Sequence, residues 1–301
     1  MSSSNGVAIV LARSESREGR SAFDAMPRLL RERGVSIAGA ELLDSREQLV
    51  KAVRRAMKSK IRRIVICGGD GTQTSVVPHF AKRRYTLCVV PAGTGNSFAL
   101  GLGIDSFESA ADAVAFGSER RVDLGVVNGT YFANFLTVGL SAQVANETPR
   151  SLKSIAGPAA YAVSAVVPLL LHRPFRADIR WKRHRVRSKT HQIILANGRF
   201  YGHTPLSKDA TLSDGRITVF VRDRTSTMSV VQTYVALLRG AQANLSGVDL
   251  WSTSKTIRLR TKPKAPVSAD GCEFGNTPIR IRVARRALRV MVPACTEAHT
   301  P

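Results

Sequence analysis

Residues 68–72, Gly-Gly-Asp-Gly-Thr, combine residue types that can bind a phosphate group. They follow the apolar run 64–67 and precede a stretch, 73–81, whose composition permits a helix. Glycines allow the backbone to approach a phosphate closely, and the N–H groups at the start of a helix favour an anion. Asp70 is a candidate to hold Mg²⁺ or to take a proton. The same pattern also fits an ordinary strand-to-helix turn, so this motif alone leaves both interpretations open.

A second glycine-rich loop follows another short apolar run. Residues 87–90, Leu-Cys-Val-Val, continue into residues 91–99, Pro-Ala-Gly-Thr-Gly-Asn-Ser-Phe-Ala. Two apolar strands that end in such loops about twenty residues apart are expected to be parallel neighbours. Their loops then share one edge of the sheet, which is where open α/β sheets bind ligands. The residues expected to bind a nucleotide are Gly68, Gly69, Asp70, Gly71, Thr72, Thr94, Gly95 and Asn96.

In these two loops the chain resembles the diacylglycerol kinase catalytic-domain family. That family includes soluble bacterial diacylglycerol kinases, sphingosine kinases and ceramide kinases. NAD kinases share the first loop but lack the second. The resemblance continues in the family's order through residues 122–125, 196–199, 208–210, 214–215 and 270–271. It therefore spans most of the chain, and it implies a lipid kinase fold without naming the lipid.

The spacing of apolar residues indicates two domains. The chain length of 301 residues also favours two domains over one. Up to about residue 121, apolar runs alternate with helical patterns over 23–33 and 46–58 and between Ser106 and Gly117. Pro27 is expected near the start of the first helix. This rhythm predicts a Rossmann-like parallel α/β domain over residues 1–124.

After residue 122 the pattern is mostly strand-like, which predicts a mostly antiparallel β-sandwich over residues 125–285. The expected strands are 175–181, 192–196, 216–221, 256–259, 279–283 and 288–292. Residues 286–301 are expected to pack back on the first domain. The resemblance implies the same pair of domains, with the ATP site in the cleft between them.

Charge is the second large signal, because the formal net charge is +23. Residues 1–124 hold 19 Lys and Arg against 13 Asp and Glu, a balance of +6, and residues 125–301 hold 26 against 9, a balance of +17. The densest patch, 173–189, carries eight basic residues against Asp178 alone. If residues 175–181 and 186–194 form a hairpin, residues 182–185 (Lys-Arg-His-Arg) lie at its tip.

Charged runs are most often solvated surface, but a bias of this size favours attraction to polyanions. The chain carries no recognisable nucleic-acid-binding motif, so no specific nucleic acid is expected. An anionic membrane surface is the preferred partner, at roughly 1 kcal/mol for each basic residue near it. The run 155–171 has no charged residue and contains Pro158 and Pro168. It fits a helix over a lipid-acceptor cleft better than a membrane span, and a core helix stays open.

The four cysteines show no metal or disulfide spacing, and no signal peptide is evident at the amino terminus. Cys67 and Cys88 are expected to fill space in buried strands. The expected location is therefore cytoplasmic, with peripheral association to a membrane.

The resemblance implies ATP and Mg²⁺, with Asp70 in the Mg²⁺ network and Asp270 or Glu273 as the acceptor of the hydroxyl proton. It also implies a structural Mg²⁺ at Asp214, held together with the carbonyl groups of Thr211 and Arg216. A plain Asp-Gly turn at Asp214 is equally open.

Several positions depart from the family pattern, among them residues 201–203, Tyr-Gly-His, which replace a glycine triplet. Arg13 and its neighbours replace the usual Asn-Pro, and Arg13 is a candidate phosphate ligand instead. Ser97 replaces an Asp that helps to order Mg²⁺, and Cys272 replaces the proposed proton acceptor, with Glu273 one place later. The predicted function is an ATP- and Mg²⁺-dependent lipid kinase acting on a diacylglycerol- or sphingoid-like hydroxyl. The alternatives are a metabolite kinase of the NAD kinase type and a catalytically weak lipid-binding module. The sequence does not specify the oligomeric state.

Overall fold

A computed structural model describes residues 8–14, 17–147, 173–202, 204–239, 241 and 245–294. These residues divide into two compact units. The first contains the described residues up to Val122 and those from Arg286 onward, and the second is Asp123–Arg285.

The first unit begins with alternating strands and helices. Its elements are β1 Ala8–Arg13, α1 Arg17–Glu32, β2 Ile37–Leu43, α2 Arg46–Lys58, β3 Arg63–Gly68, α3 Asp70–Phe80, β4 Thr86–Pro91, α4 Ser97–Gly101 and α5 Phe107–Phe116. Strand β5 Ser118–Val127 then leads along the chain into the second unit.

The second unit is mostly strands. It contains β6 Thr130–Phe132, β7 Phe135–Gly139, α6 Leu140–Glu147, β8 Phe175–Trp181, β9 His184–Thr190, β10 Gln192–Ala196, β11 Phe200–Tyr201, β12 Thr204–Pro205, β13 Ile217–Arg222, α7 Thr227–Arg239, β14 Val248–Thr253, β15 Ile257–Lys262, β16 Pro266–Ala269 and β17 Cys272–Asn276. The last strand, β18 Ile279–Val292, begins in this unit and ends in the first.

The sheet of the first unit is parallel, in the order β2-β1-β3-β4, with the end of β18 parallel to β4 on its outer side. All six residues of β4 are buried, as expected for a parallel strand covered on both faces. The helices pack in pairs, α1 with α5 and α2 with α3. Local sequence sets the helix starts, because the Ser45 side chain accepts the N–H of Gln48 at α2 and Ser106 accepts that of Ser109 at α5.

The second unit is an antiparallel sandwich. One layer has the order β14-β13-β10-β7-β16-β17, and the other contains β9, β8, β15 and the start of β18. Strand β8 alternates buried and more exposed residues, so that Phe175, Ala177 and Ile179 enter the core. They meet residues of the other layer there, including Val138 and Ile193.

The predicted fold class, a parallel α/β unit and an antiparallel β-sandwich, is confirmed, but several details were wrong. Helix α1 begins at Arg17, so Pro27 lies inside it rather than near its start. The two strands expected over 279–292 are one strand, in which Arg286 has a φ of +50°. Helix α7 was not predicted, since its surroundings are strand-rich.

The predicted basic hairpin is present as β8 and β9. Its turn is formed by Lys182, with a φ of +50°, and Arg183, whereas His184 and Arg185 already belong to β9. Among the described residues, no helix is long and apolar enough to cross a bilayer. The apolar run 155–171 lies outside the described residues.

Candidate active site

The two glycine-rich loops touch each other at the carboxyl edge of the parallel sheet. Strands β3 and β4 pair in parallel up to Gly68 and Pro91, and the N–H of Ala92 donates to the carbonyl oxygen of Gly68 at 3.2 Å. Beyond the strands, the backbones of Gly69 and Gly93 are in contact. A Cβ added to Gly93 would lie 2.4 Å from the Cα of Gly69, so Gly93 requires glycine, whereas a Cβ added to Gly69 would lie 3.0 Å from the Cα of Gly93 and would push the loops slightly apart.

Asp70 links the first loop to the second. Its Oδ2 accepts the N–H of Ser97 at 2.9 Å, and its Oδ1 accepts the N–H of Phe98 at 3.0 Å. These N–H groups belong to the first turn of α4, where a carboxylate is favourable. Ser97 is buried, and its side chain is not needed for this link because the backbone makes it. The carboxylate that sequence reasoning assigned to Mg²⁺ therefore also holds the two loops together.

Two amide side chains complete the region where the loops meet. The buried Gln73 donates its Nε2 to the carbonyl oxygens of Ile66, Gly68 and Val90, at 2.7, 3.2 and 3.2 Å. This ties together the ends of β3 and β4, and sequence reasoning missed it. Asn96 has a φ of +46° and donates its Nδ2 to the carbonyl oxygen of Gly93 at 2.6 Å. Its Oδ1 is buried without a hydrogen-bond partner among the described residues.

The predicted nucleotide-binding residues fall together at this edge. Helix α3 begins directly after Gly69 without a side-chain cap, which suits an anion. Arg13 ends β1, the parallel neighbour of β3, and is half-buried at the same edge. Thr94 is exposed in the second loop. The close glycine contact, the uncapped helix start and the unpartnered Asn96 oxygen fit a phosphate group with its cation.

Asp270, in the second unit, serves as a backbone clamp. Its Oδ2 accepts the N–H of Ala133 at 2.7 Å, and its Oδ1 accepts those of Asn134 and Phe135 at 2.8 and 3.1 Å. These three hydrogen bonds hold the segment 133–135 against the turn that contains Asp270. Asp270 itself has a φ of +49°, in the turn between β16 and β17.

Glu273 and Cys272 begin strand β17. The side chain of Glu273 is exposed and that of Cys272 is half-buried, as expected for neighbours on a strand. The pairing of β16 with β17 shifts register at Val267 and Ser268. Because Glu273 follows Cys272 by one residue on this strand, its carboxylate and the thiol of Cys272 lie in different surroundings.

Asp214 closes its own turn. Its Oδ2 accepts the N–H of Thr211 at 3.1 Å and its Oδ1 accepts that of Arg216 at 2.8 Å. The buried Asp123 adds a second carboxylate, which accepts the N–H of Gly215 at 2.7 Å. Among the described residues, no cluster of three or more His, Cys, Asp or Glu side chains could hold a metal. These contacts hold the turn through N–H donors, and the predicted Mg²⁺ at Asp214 stays a prediction.

Cys67 and Cys88 are buried in β3 and β4 and do not belong to the site. Burial raises the pKa of the Cys88 thiol to about 12 and raises that of Cys67 as well. Neither thiol is ionised at neutral pH, so both are space-filling groups, as expected.

Comparison with known proteins agrees with this geometry. Residues 6–127 match the model of the diacylglycerol kinase catalytic domain, and residues 134–292 match that of the YegS C-terminal NAD kinase β-sandwich-like domain. The chain belongs to the diacylglycerol kinase family. Membership places it among phosphotransferases that use an alcohol group as acceptor, and within them among lipid kinases.

Relatives in this family share sequence over most of their length. The diacylglycerol kinase of Bacillus subtilis (strain 168) is 28% identical over 248 residues, covering 80% of this chain and 81% of the relative. A diacylglycerol kinase of Staphylococcus epidermidis is 27% identical over 243 residues, covering 79% and 77%. A solved structure from Bacillus anthracis str. Sterne, assigned to the diacylglycerol kinases, shares the fold with a TM-score of 0.78. It is 18% identical and covers 97% of this chain and 98% of its own.

Proposed function

We propose that this protein is an ATP- and Mg²⁺-dependent kinase that transfers the γ-phosphoryl group to the hydroxyl of a diacylglycerol- or sphingoid-like lipid. The observation that carries the proposal is the contact between the two glycine loops, fixed by Asp70 on the N–H groups of Ser97 and Phe98. A plain strand-to-helix turn needs no such partner loop.

In phosphoryl transfer the protein mainly positions the reacting groups and neutralises the charge on the phosphates. The backbone N–H groups of residues 68–72 and 93–96 are proposed to hold the phosphates, with Arg13 and Thr94 adding side-chain contacts. Asp70 and the buried Oδ1 of Asn96 offer the oxygen ligands that Mg²⁺ prefers. A bound Mg²⁺ would neutralise charge on the phosphates.

The lipid hydroxyl needs a proton acceptor within hydrogen-bond reach. Three N–H donors already occupy the Asp270 carboxylate, which suits a residue that positions the 133–135 segment. Glu273 is exposed and is the better candidate for the proton acceptor. Cys272 is proposed to fill space.

We also propose a cytoplasmic protein that associates peripherally with anionic membranes. Support comes from the hairpin β8–β9, whose turn residues Lys182 and Arg183 are exposed. Beside it, the rings of Trp181 and Trp251 stack at a centroid distance of 3.8 Å. Arg185 is less available to bind an anionic lipid than its place beside the turn suggested, because it forms an ion pair with Asp178 at 2.8 Å.

A radiolabelled ATP assay over diacylglycerol, sphingosine, ceramide, phosphatidylglycerol, polyprenol and NAD tests the proposal. Label in one of the lipids and none in NAD is the expected result. Label in NAD alone would instead establish the metabolite kinase, an alternative that the likeness of residues 134–292 to an NAD kinase-like domain keeps in view. Vesicle binding without any ATP turnover would establish a lipid-binding module.

A further inference from the structure

A basic cavity lies in the first unit, away from the glycine loops. Its volume is about 750 Å³, and seven of its nine lining residues are Arg or Lys, with no acidic residue among them. Arg62 precedes β3, Lys82, Arg83 and Arg84 lie between α3 and β4, and Arg121 lies in β5. The end of β18 supplies the other two basic residues, Arg286 and Arg289. We call it the amino-edge cavity, because it lies where β3 and β4 begin.

The amino-edge cavity is a different place from the nucleotide loops. Arg62 lies directly before β3, and Gly68 is the last residue of this strand. A strand rises about 3.3 Å per residue, so the two ends are about 20 Å apart. A ligand bound in the amino-edge cavity would therefore occupy a different site from a nucleotide whose phosphates bind residues 68–72.

Backbone contacts hold the segments of the cavity together. The N–H of Lys82 donates to the carbonyl oxygen of Ala287 at 2.6 Å, and the N–H of Thr86 donates to that of Arg62 at 2.8 Å. Arg289 is the parallel partner of Thr86. The basic side chains of the cavity therefore come from separate parts of the chain, and hydrogen bonds between their backbones hold these parts together.

Most of this positive charge has no counter-charge. Glu119 accepts a hydrogen bond from the Thr86 hydroxyl at 2.5 Å and one from Arg289. Burial raises the pKa of Glu119, but these two hydrogen bonds and the charges of Arg289 and Arg62 outweigh it, and the net pKa is lowered. Arg289 is thus paired. By contrast, Lys82, Arg83, Arg84 and Arg121 are exposed and form no ion pair within the part of the chain that the structure describes.

We propose that the amino-edge cavity binds an anion that carries several phosphate groups. Guanidinium groups bind phosphate through paired N–H donors, and a cavity of this volume is within the range of small-molecule sites, about 300–1,000 Å³. Repulsion among the clustered cations is relieved when such an anion enters. A soluble polyphosphate and the headgroup of a phosphorylated lipid share this chemistry.

The test compares two variants that lose the same charge. The cavity variant carries Arg83→Gln, Arg84→Gln and Arg121→Gln. The control carries Arg28→Gln, Arg31→Gln and Lys51→Gln, which are exposed positions on α1 and α2 outside the cavity. All six side chains are exposed, so both proteins are expected to fold, and Arg84→Gln alone provides a milder cavity variant. Thermal unfolding checks each protein before binding is measured.

Calorimetric titration with inositol hexakisphosphate at about 0.15 M salt is the soluble arm, since surface charge is screened there over about 8 Å. Co-sedimentation with phosphatidylcholine vesicles containing a phosphatidylinositol bisphosphate, whose headgroup carries several phosphate groups, is the lipid arm. We expect the cavity variant to lose at least about tenfold in affinity in one arm, equivalent to about 1.4 kcal/mol, with a smaller loss for Arg84→Gln and little for the control. The arm that shows the loss identifies the source of the ligand. No binding by the unmodified protein in either arm, or equal losses in the cavity and control variants, would overturn the proposal.

Discussion

Gly93 lies against Gly69 so closely that a Cβ on Gly93 would stand 2.4 Å from the Cα of Gly69. The contact joins the ends of two parallel strands, β3 and β4. A side chain at either position must move one loop away from the other. The space between the two loops, on which the proposed phosphate site depends, is thus set by two glycines.

Gly93→Ala should therefore separate the loops. We expect the free energy of unfolding to fall by about 1–3 kcal/mol, as for other overpacked sites, and ATP binding to weaken. Gly39→Ala is the matched control, since no atom lies within 4 Å of its added Cβ and Gly39 lies in β2, outside the glycine loops; its stability should be close to that of the unmodified protein. Denaturant unfolding of both variants checks this. A Gly93→Ala protein as stable as Gly39→Ala would contradict the contact.

Asp70 has two tasks that different substitutions separate. Asp70→Ala removes the acceptors of the Ser97 and Phe98 N–H groups, and the loss should be about 2 kcal/mol or more, because hydrogen bonds to charged groups contribute roughly 1.5–3 kcal/mol each. Asp70→Asn keeps one acceptor oxygen and should lose less stability. Both should lose phosphoryl transfer if the charge serves Mg²⁺. Turnover measured against Mg²⁺ concentration checks the assignment, and unchanged Mg²⁺ dependence in Asp70→Asn would refute it.

Substitutions at three neighbouring positions should have different effects on stability and turnover. These positions are Asp270, Cys272 and Glu273. Asp270→Ala should destabilise the second unit by several kcal/mol, since it leaves three N–H groups without their acceptor. Glu273→Gln should leave stability unchanged, because Glu273 is exposed, and should lower turnover. Cys272→Ala should change turnover little. Full activity of Glu273→Gln would show that Glu273 is not the proton acceptor. An inactive Cys272→Ala protein would show that the thiol takes part in the reaction.

Asp178 should give the β8–β9 hairpin a pH-dependent stability. Hydrogen bonds from Arg180 and Arg185 hold the pKa of its carboxyl well below the ordinary value of 3.8. A depressed folded-state pKa contributes stability above the ordinary value, and this contribution is lost as pH falls. The difference in stability between the unmodified protein and Asp178→Asn should thus shrink between about pH 5 and pH 2. Unfolding curves across this range test it, and a constant difference would contradict the pairing.

Local signals were sufficient for much of the fold. Helix α2 has the predicted bounds because Ser45 caps it and Leu49, Val53 and Met57 form one apolar face. The adjacency of the glycine loops was also predictable, since parallel neighbours end at the same edge. Local sequence does not predict the hydrogen bonds from the N–H groups of residues 97 and 98 to Asp70. Nor does it predict the hydrogen bond from Asn134 to Asp270, which lies 136 positions further along the chain. The amino-edge cavity likewise arises only when the end of β18 pairs with β4.

The central claim is transfer of the terminal phosphoryl group of ATP to a lipid hydroxyl at the paired loops. The most direct measurement incubates the protein, Mg²⁺ and diacylglycerol or sphingosine in mixed micelles with ATP labelled at the γ or the α position. The label is then counted in the solvent-extracted lipid. We predict label in the lipid from γ-labelled ATP only, and a strong loss with Gly93→Ala but not with the control Gly39→Ala. No label in the lipid from γ-labelled ATP, or equal transfer by Gly93→Ala and the unmodified protein, would contradict the account.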